Sequence, residues 1–143
     1  MEKATLAVEP ARSGFAAESD AEILVTMEID AGWHTNSHQP TYDYLIPTEI
    51  AVTVPEGWDE ASVAYPPGEL KTFAFTEEEP ISVYEGSVLM VVTQPVPATA
   101  DGATESEIAL TYQACDDKSC LPPVTTTSVV ELAIGEEGAG IGP

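Results

Sequence analysis

The chain predicts an all-β fold, an antiparallel β-sandwich of immunoglobulin-like type. Three observations carry this. One segment alternates apolar and polar residues cleanly, turn signals recur at short intervals, and no twelve-residue window holds a 3.6-residue period. In 21–30, Ile23, Val25, Met27 and Ile29 fall on one face and Thr26 and Glu28 on the other, the pattern of a half-buried strand. Further strands are expected at 4–9, 48–54, 60–65, 81–84, 87–93, 106–114 and 124–134. Pro55-Glu56-Gly57, Pro66-Pro67-Gly68, Glu85-Gly86 and Asp101-Gly102 punctuate them as turns. The antibody pattern of two distant cysteines and a tryptophan is absent, because the two cysteines here lie too close in sequence to bridge two sheets.

At 143 residues and 43% hydrophobic content, the chain makes one domain with a real core. That domain is expected over 1–134, with 135–143, Gly-Glu-Glu-Gly-Ala-Gly-Ile-Gly-Pro, as a flexible tail or linker. No apolar run approaches the length that crosses a bilayer as a helix, so no direct membrane insertion of this segment is expected. Met1-Glu2-Lys3 is not followed by an apolar segment, and any export signal is read as removed.

Charge excludes one class of partner. Twenty-five acids face four bases, Lys3, Arg12, Lys71 and Lys118, for a net charge of −21. Nucleic-acid binding needs basic patches, so it is not expected. The acids are spread along the chain, which suggests a surface adapted to high salt, where screening relieves self-repulsion. An ordinary acidic secreted protein is the plainer alternative.

The chemistry is concentrated in Tyr112-Gln113-Ala114-Cys115-Asp116-Asp117-Lys118-Ser119-Cys120-Leu121-Pro122-Pro123, which holds both cysteines of the chain. Three uses are open: redox exchange, a local structural staple, or a metal. Closing so short a loop contributes only about 2 kcal/mol on the chain-entropy model, against about 3 for a fifteen-residue loop. A reactive dithiol/disulfide is therefore favoured. Ile108, Leu110 and Tyr112 should face the core, which leaves Cys115, in phase with Gln113, pointing away from it unless a bulge intervenes. Asp116-Asp117-Lys118-Ser119 is a four-residue hairpin loop, placing Cys120 across from Cys115 within disulfide reach. Pro122 and Pro123 cannot donate ladder hydrogen bonds, so the returning strand begins at an edge and the pair is expected exposed. Only Lys118 is a nearby cation, so an ordinary or high thiol pKa is expected. The spacing is not Cys-x-x-Cys, and no thioredoxin-like βαβ signal surrounds it.

Tyr-Gln-Ala-Cys, a polar loop and Cys-Leu-Pro-Pro resemble the active-site hairpin of the N-terminal periplasmic domain of the DsbD thiol:disulfide interchange family. Gly32-Trp33-His34-Thr35-Asn36-Ser37 and Tyr44-Leu45-Ile46-Pro47-Thr48 resemble its early strands, Tyr65-Pro66-Pro67-Gly68 and Ile81-Ser82-Val83-Tyr84-Glu85-Gly86 resemble its middle, and the likeness extends from about residue 5 to about 134. The resemblance implies a protein-disulfide reductase domain in an extracytoplasmic, periplasmic setting. Such a domain takes electrons from a membrane electron-donor domain and passes them to thioredoxin-fold proteins. No cofactor is implied, since the cysteines carry the electrons. It implies that Cys120 forms the mixed disulfide with the partner and Cys115 resolves it. An aromatic residue of a cap loop would shield the disulfide, here Phe73 or Phe75, and Tyr42 and Tyr44 would support the hairpin. From a different class, the rival reading is a secreted β-sandwich interaction module with a purely structural disulfide.

His34 and His38 are four apart, but Gly32, Asn36, Ser37 and Pro40 argue for a loop or strand end, and the expectation is two solvent-facing or hydrogen-bonded histidines with no metal. Trp33 and Trp58 are expected at the core or its rim. Glu77-Glu78-Glu79 reads as a solvated turn. No phosphate-binding glycine loop and no nucleophilic serine motif is present.

Overall fold

Alternation along the longest strands builds two facing sheets. In the computed structural model, which describes residues 2–73 and 79–135, eleven strands follow one another: β1 (Ala4–Pro10), β2 (Asp20–Ile29), β3 (His34–Asn36), β4 (Glu49–Thr53), β5 (Ser62–Ala64), β6 (Glu69–Thr72), β7 (Pro80–Tyr84), β8 (Ser87–Pro95), β9 (Gly102–Tyr112), β10 (Ala114–Cys115) and β11 (Val124–Ile134). There is no helix among the described residues. One sheet has the order β1-β2-β8-β5 and a second the order β11-β9-β4. A third, β10-β3-β7-β6, carries the cysteines. All strand pairs are antiparallel. The fold is the immunoglobulin-like β-sandwich expected.

The core lies between the first two sheets. Ile23, Val25 and Met27 of β2 and Met90 and Val92 of β8 pack with Ile108, Leu110 and Tyr112 of β9 and Leu132 of β11, all fully buried. Each occupies alternate positions of its strand, as period-two patterning dictates. Burying such side chains stabilises by about 1.5–3 kcal/mol apiece, which makes this the main driving force of the fold. Trp33 and Trp58 are partly buried against the same core, as expected. Phe15 closes the sandwich by bridging to Ile134, with Phe15 N donating to Ala133 O at 2.9 Å and Gly135 N to Phe15 O at 2.9 Å.

Strand boundaries fall within a few residues of expectation, and β11 coincides with it. Two strands carry no residue pattern that predicts them: β3, which only the family resemblance suggested, and β6. Every residue of β3 is buried, so it has no alternation to read, and every residue of β6 is exposed, so it has none either. Both belong to the sheet that carries the cysteines.

Candidate redox site

The site arises where the chain changes sheets. Through Tyr112, β9 pairs with β11, up to the pair Val124–Tyr112. The ladder is interrupted at Gln113, and Ala114 and Cys115 pair instead with Thr35 and His34 of β3. The prolines explain the departure: Pro122 and Pro123 offer no N–H, so β11 cannot extend back to accompany Ala114 and Cys115. What remains is a minimal hairpin. Leu121 N donates to Ala114 O at 2.9 Å, and Gln113 Nε2 donates to Leu121 O at 3.3 Å. Tyr112 marks the end of the core strand, its buried hydroxyl donating to Ala4 O at 3.3 Å.

Cys115 and Cys120 face each other as an antiparallel bridge and form a disulfide, with Sγ atoms 2.06 Å and Cα atoms 4.0 Å apart. The loop between them is held by Asp116. Its N–H donates to Ser119 O at 2.9 Å, and its Oδ1 accepts from Lys118 N and Ser119 N, both at 2.8 Å. These backbone donors, Lys118 first, hold the Asp116 carboxyl below its ordinary pKa.

The two sulfurs differ sharply in access. Cys120 is exposed, whereas Cys115 is only 1% exposed. The phase argument is right that Cys115 lies outside the main core cluster. The expectation of an exposed pair holds for Cys120 alone. Cys115 is buried because β3 runs alongside β10, a strand that carries no sequence signal.

That neighbour places His34 directly opposite Cys115. His34 is 1% exposed and its ring stacks on Phe73, with centroids 3.9 Å apart and planes at 14°. His34 thus lies at a strand end, one of the two placements expected, and it is buried, which corrects the solvent-facing alternative. Burial pushes the imidazole pKa below its ordinary value, against the upward pull of Glu85, Asp116 and Asp117. Beneath His34, β3 is pinned by polar contacts: the Thr48 hydroxyl lies 2.6 Å from Asn36 O and 3.0 Å from Thr35 Oγ1, and Asn36 Nδ2 donates to Ile46 O at 2.9 Å.

Phe73 is thus one side chain away from Cys115, while Phe75, Glu77 and Glu78 lie outside the described residues. Glu79 accepts a hydrogen bond from Tyr42 Oη at 2.6 Å, so Tyr42 holds the chain just after that segment. This bond, before any burial, raises the Tyr42 pKa. Tyr44 stacks on Tyr42 at 5.5 Å and is 78% exposed. Neither tyrosine lies in a strand; Tyr42 bonds to Glu79 and stacks on Tyr44, away from the cysteines. His38 is separate from His34: it stacks on Tyr65 at 3.5 Å, and its Nδ1 lies 3.1 Å from Thr48 O. Among the described residues, no group of three His, Cys, Asp or Glu side chains is arranged to hold a metal.

The family model for the N-terminal part of the thiol:disulfide interchange protein DsbD matches residues 2–132. The chain belongs to this family. A search of curated proteins finds no match. Among solved structures, the N-terminal periplasmic domain of ScsB from Proteus mirabilis is similar over 90% of this chain at 15% identity, with a TM-score of 0.58. At that identity the likeness is one of fold, and this chain spans only 44% of the ScsB chain. The DsbD N-terminal domain of Neisseria meningitidis, in its reduced form, aligns over 87% of this chain and 86% of its own at 19% identity, with a TM-score of 0.47. For a member of the DsbD N-terminal family, a disulfide-capable cysteine pair at a sheet edge is the feature that bears on thiol–disulfide exchange. No helix among the described residues is long and apolar enough to cross a membrane.

Proposed function

We propose that this domain carries out thiol–disulfide exchange at Cys115 and Cys120. In that role it accepts electrons from a membrane electron-donor domain and reduces thioredoxin-fold proteins outside the cytoplasm, in a periplasmic setting. The observation that carries the reading is the asymmetry of access, with Cys120 exposed and Cys115 buried behind it. Exchange needs an incoming thiolate to approach one sulfur in line with the S–S bond while the other sulfur leaves. An exposed Cys120 Sγ suits attack, and the departing pair of electrons then resides on Cys115. In the opposite direction, Cys120 attacks the partner disulfide, and Cys115 displaces the partner from the mixed disulfide. Two electrons pass from the domain's dithiol to the partner, and the cysteines end as a disulfide. Phe73 or Phe75 acts in this reading as the shield over the pair, with Tyr42 and Tyr44 in support of the hairpin, Tyr42 through its bond to Glu79. The acidic surface fits a medium of high salt.

The test is covalent trapping. With Cys115→Ser, Cys120 should hold a stable mixed disulfide with a thioredoxin-fold partner, because no resolving thiol remains. With Cys120→Ser, trapping should be much weaker. Trapping by Cys115 alone reverses the roles, and trapping by neither variant leaves a disulfide that serves only as a staple.

A further inference from the structure

His34, Cys115 and Cys120 form a row across three adjacent chain segments. His34 of β3 is in register with Cys115 of β10, and Cys115 bridges to Cys120. Residues directly opposed in an antiparallel pair present their side chains on the same face, with Cβ atoms about 4.5–5.5 Å apart. The two side chains therefore stand next to each other, both buried, with His34 on the side of Cys115 away from its disulfide partner.

A buried resolving thiol poses a chemical difficulty. The thiolate is the nucleophile, and burial away from cations disfavours it. Lys118 is the one cation in the hairpin and is exposed. Among the described residues, the charges that act on His34 are acidic, Asp116 and Asp117 from the hairpin and Glu85 just after β7, and Lys71 of β6 is engaged with Glu85 at 3.2 Å. The Cys115 thiol thus needs a local acceptor for its proton when it attacks.

We propose that His34 is that acceptor, the general base that activates Cys115 for resolution of the mixed disulfide. The proposal rests on the exchange reading above and extends it. In the step, the Cys115 thiol gives its proton to an imidazole nitrogen of His34. The sulfur attacks Cys120 Sγ, the Cys115–Cys120 bond forms, and the bond from Cys120 to the partner sulfur breaks. The partner leaves as a thiolate with the electron pair and takes its proton from the imidazolium or from water. A base must be unprotonated before the step, and burial keeps the ring so: its lowered pKa leaves it neutral at pH 7. The stack on Phe73 holds the ring and keeps water from it.

The step is measured with 5,5′-dithiobis(2-nitrobenzoate) on the fully reduced protein. The first thionitrobenzoate released marks the mixed disulfide on Cys120, and the second marks its resolution by Cys115. With a base in place, the rate of the second release should be nearly flat from about pH 6.5 to about pH 8. Without one, it tracks the thiolate fraction and climbs about tenfold per pH unit. His34→Gln, checked for folding by its circular dichroism, should show the steep profile, at least about tenfold slower than the parent near pH 6.5 and converging with it at high pH. A merely structural role would shift the whole profile without changing its slope. A steep profile in the unaltered protein overturns the proposal even if the variant does not fold, and so does a variant profile parallel to the parent's. Resolution with the wrong slope removes His34 alone, whereas no second release at any pH sinks the exchange reading and this assignment with it.

Discussion

The sandwich core and the sheet that carries the cysteines are built by different means. In the core, nine- to eleven-residue strands bury alternate apolar side chains, and the interior of β2, β8 and β9 holds little polar chemistry beyond the Gln94–Ser106 pair, where Ser106 Oγ donates to Gln94 Oε1 at 3.0 Å. In the cysteine sheet the strands are two to five residues long. Their buried residues include His34, Thr35 and Asn36, flanked by buried Ser37 and Thr48. Hydrophobic burial stabilises the first region without specifying orientation. Hydrogen bonds and ring stacks position the second, and these are directional. Gly68 belongs to this second style. A side chain there would drive into Ser82 Oγ and sit 2.7 Å from Ser37 Cβ, at the spot where the two hydroxyls meet at 2.8 Å. The division suits the proposed exchange chemistry, which needs fixed sulfurs and a covered base on a scaffold that needs only to persist.

Breaking the scaffold should have the largest effect. Leu110→Ala, in the centre of β9 and fully buried, should cost about 2–5 kcal/mol, read as a shift of the denaturation midpoint. While the variant remains folded, its cysteines should exchange at the parent rate. A large change in exchange without a stability loss would erase the distinction between the two regions.

Thr48→Val tests the other style of construction. The shape is retained, but the hydroxyl that meets Asn36 O and Thr35 Oγ1 is lost. The expected cost is about 1–3 kcal/mol for the buried acceptor left behind. Unlike Leu110→Ala, it should also alter the rate at which Cys115 closes the disulfide, because β3 positions its neighbour. Equal exchange kinetics in the two variants would show that β3 does not govern the site.

Salt acts on the whole surface. With a net charge of −21, melting temperature should rise from low to molar ionic strength as screening relieves repulsion. A flat or falling trend would count against adaptation to high salt. The smallest change is expected from Phe73→Ala, which should leave stability nearly intact and speed reduction of the disulfide by a small thiol severalfold, since access limits exchange at a covered sulfur. An unchanged rate would make Phe73 an ordinary packing residue beside His34.

Much of this molecule is legible in its sequence. Ile23, Val25, Met27 and Ile29 predict a strand with one buried face, and that face is buried. Cys115, four polar residues and Cys120 predict a hairpin with opposed cysteines, and the bridge and disulfide are there. Both readings are local: period two follows from the backbone, and a short loop dictates which residues oppose each other. What the tertiary structure alone decides is who sits beside Cys115. The His34-Thr35-Asn36 stretch has no periodicity because every residue of it is buried, with the cysteine hairpin along one edge and Phe73 stacked on His34. His34 and Cys115 are separated by 80 intervening residues, and their pairing depends on the chain leaving one sheet at Gln113 and joining another. The signal in a sequence is strongest where one face meets water and the other meets the core. At this site both faces are occupied, so burial, the shifted imidazole and the unequal access of the two sulfurs come into being only when distant strands meet.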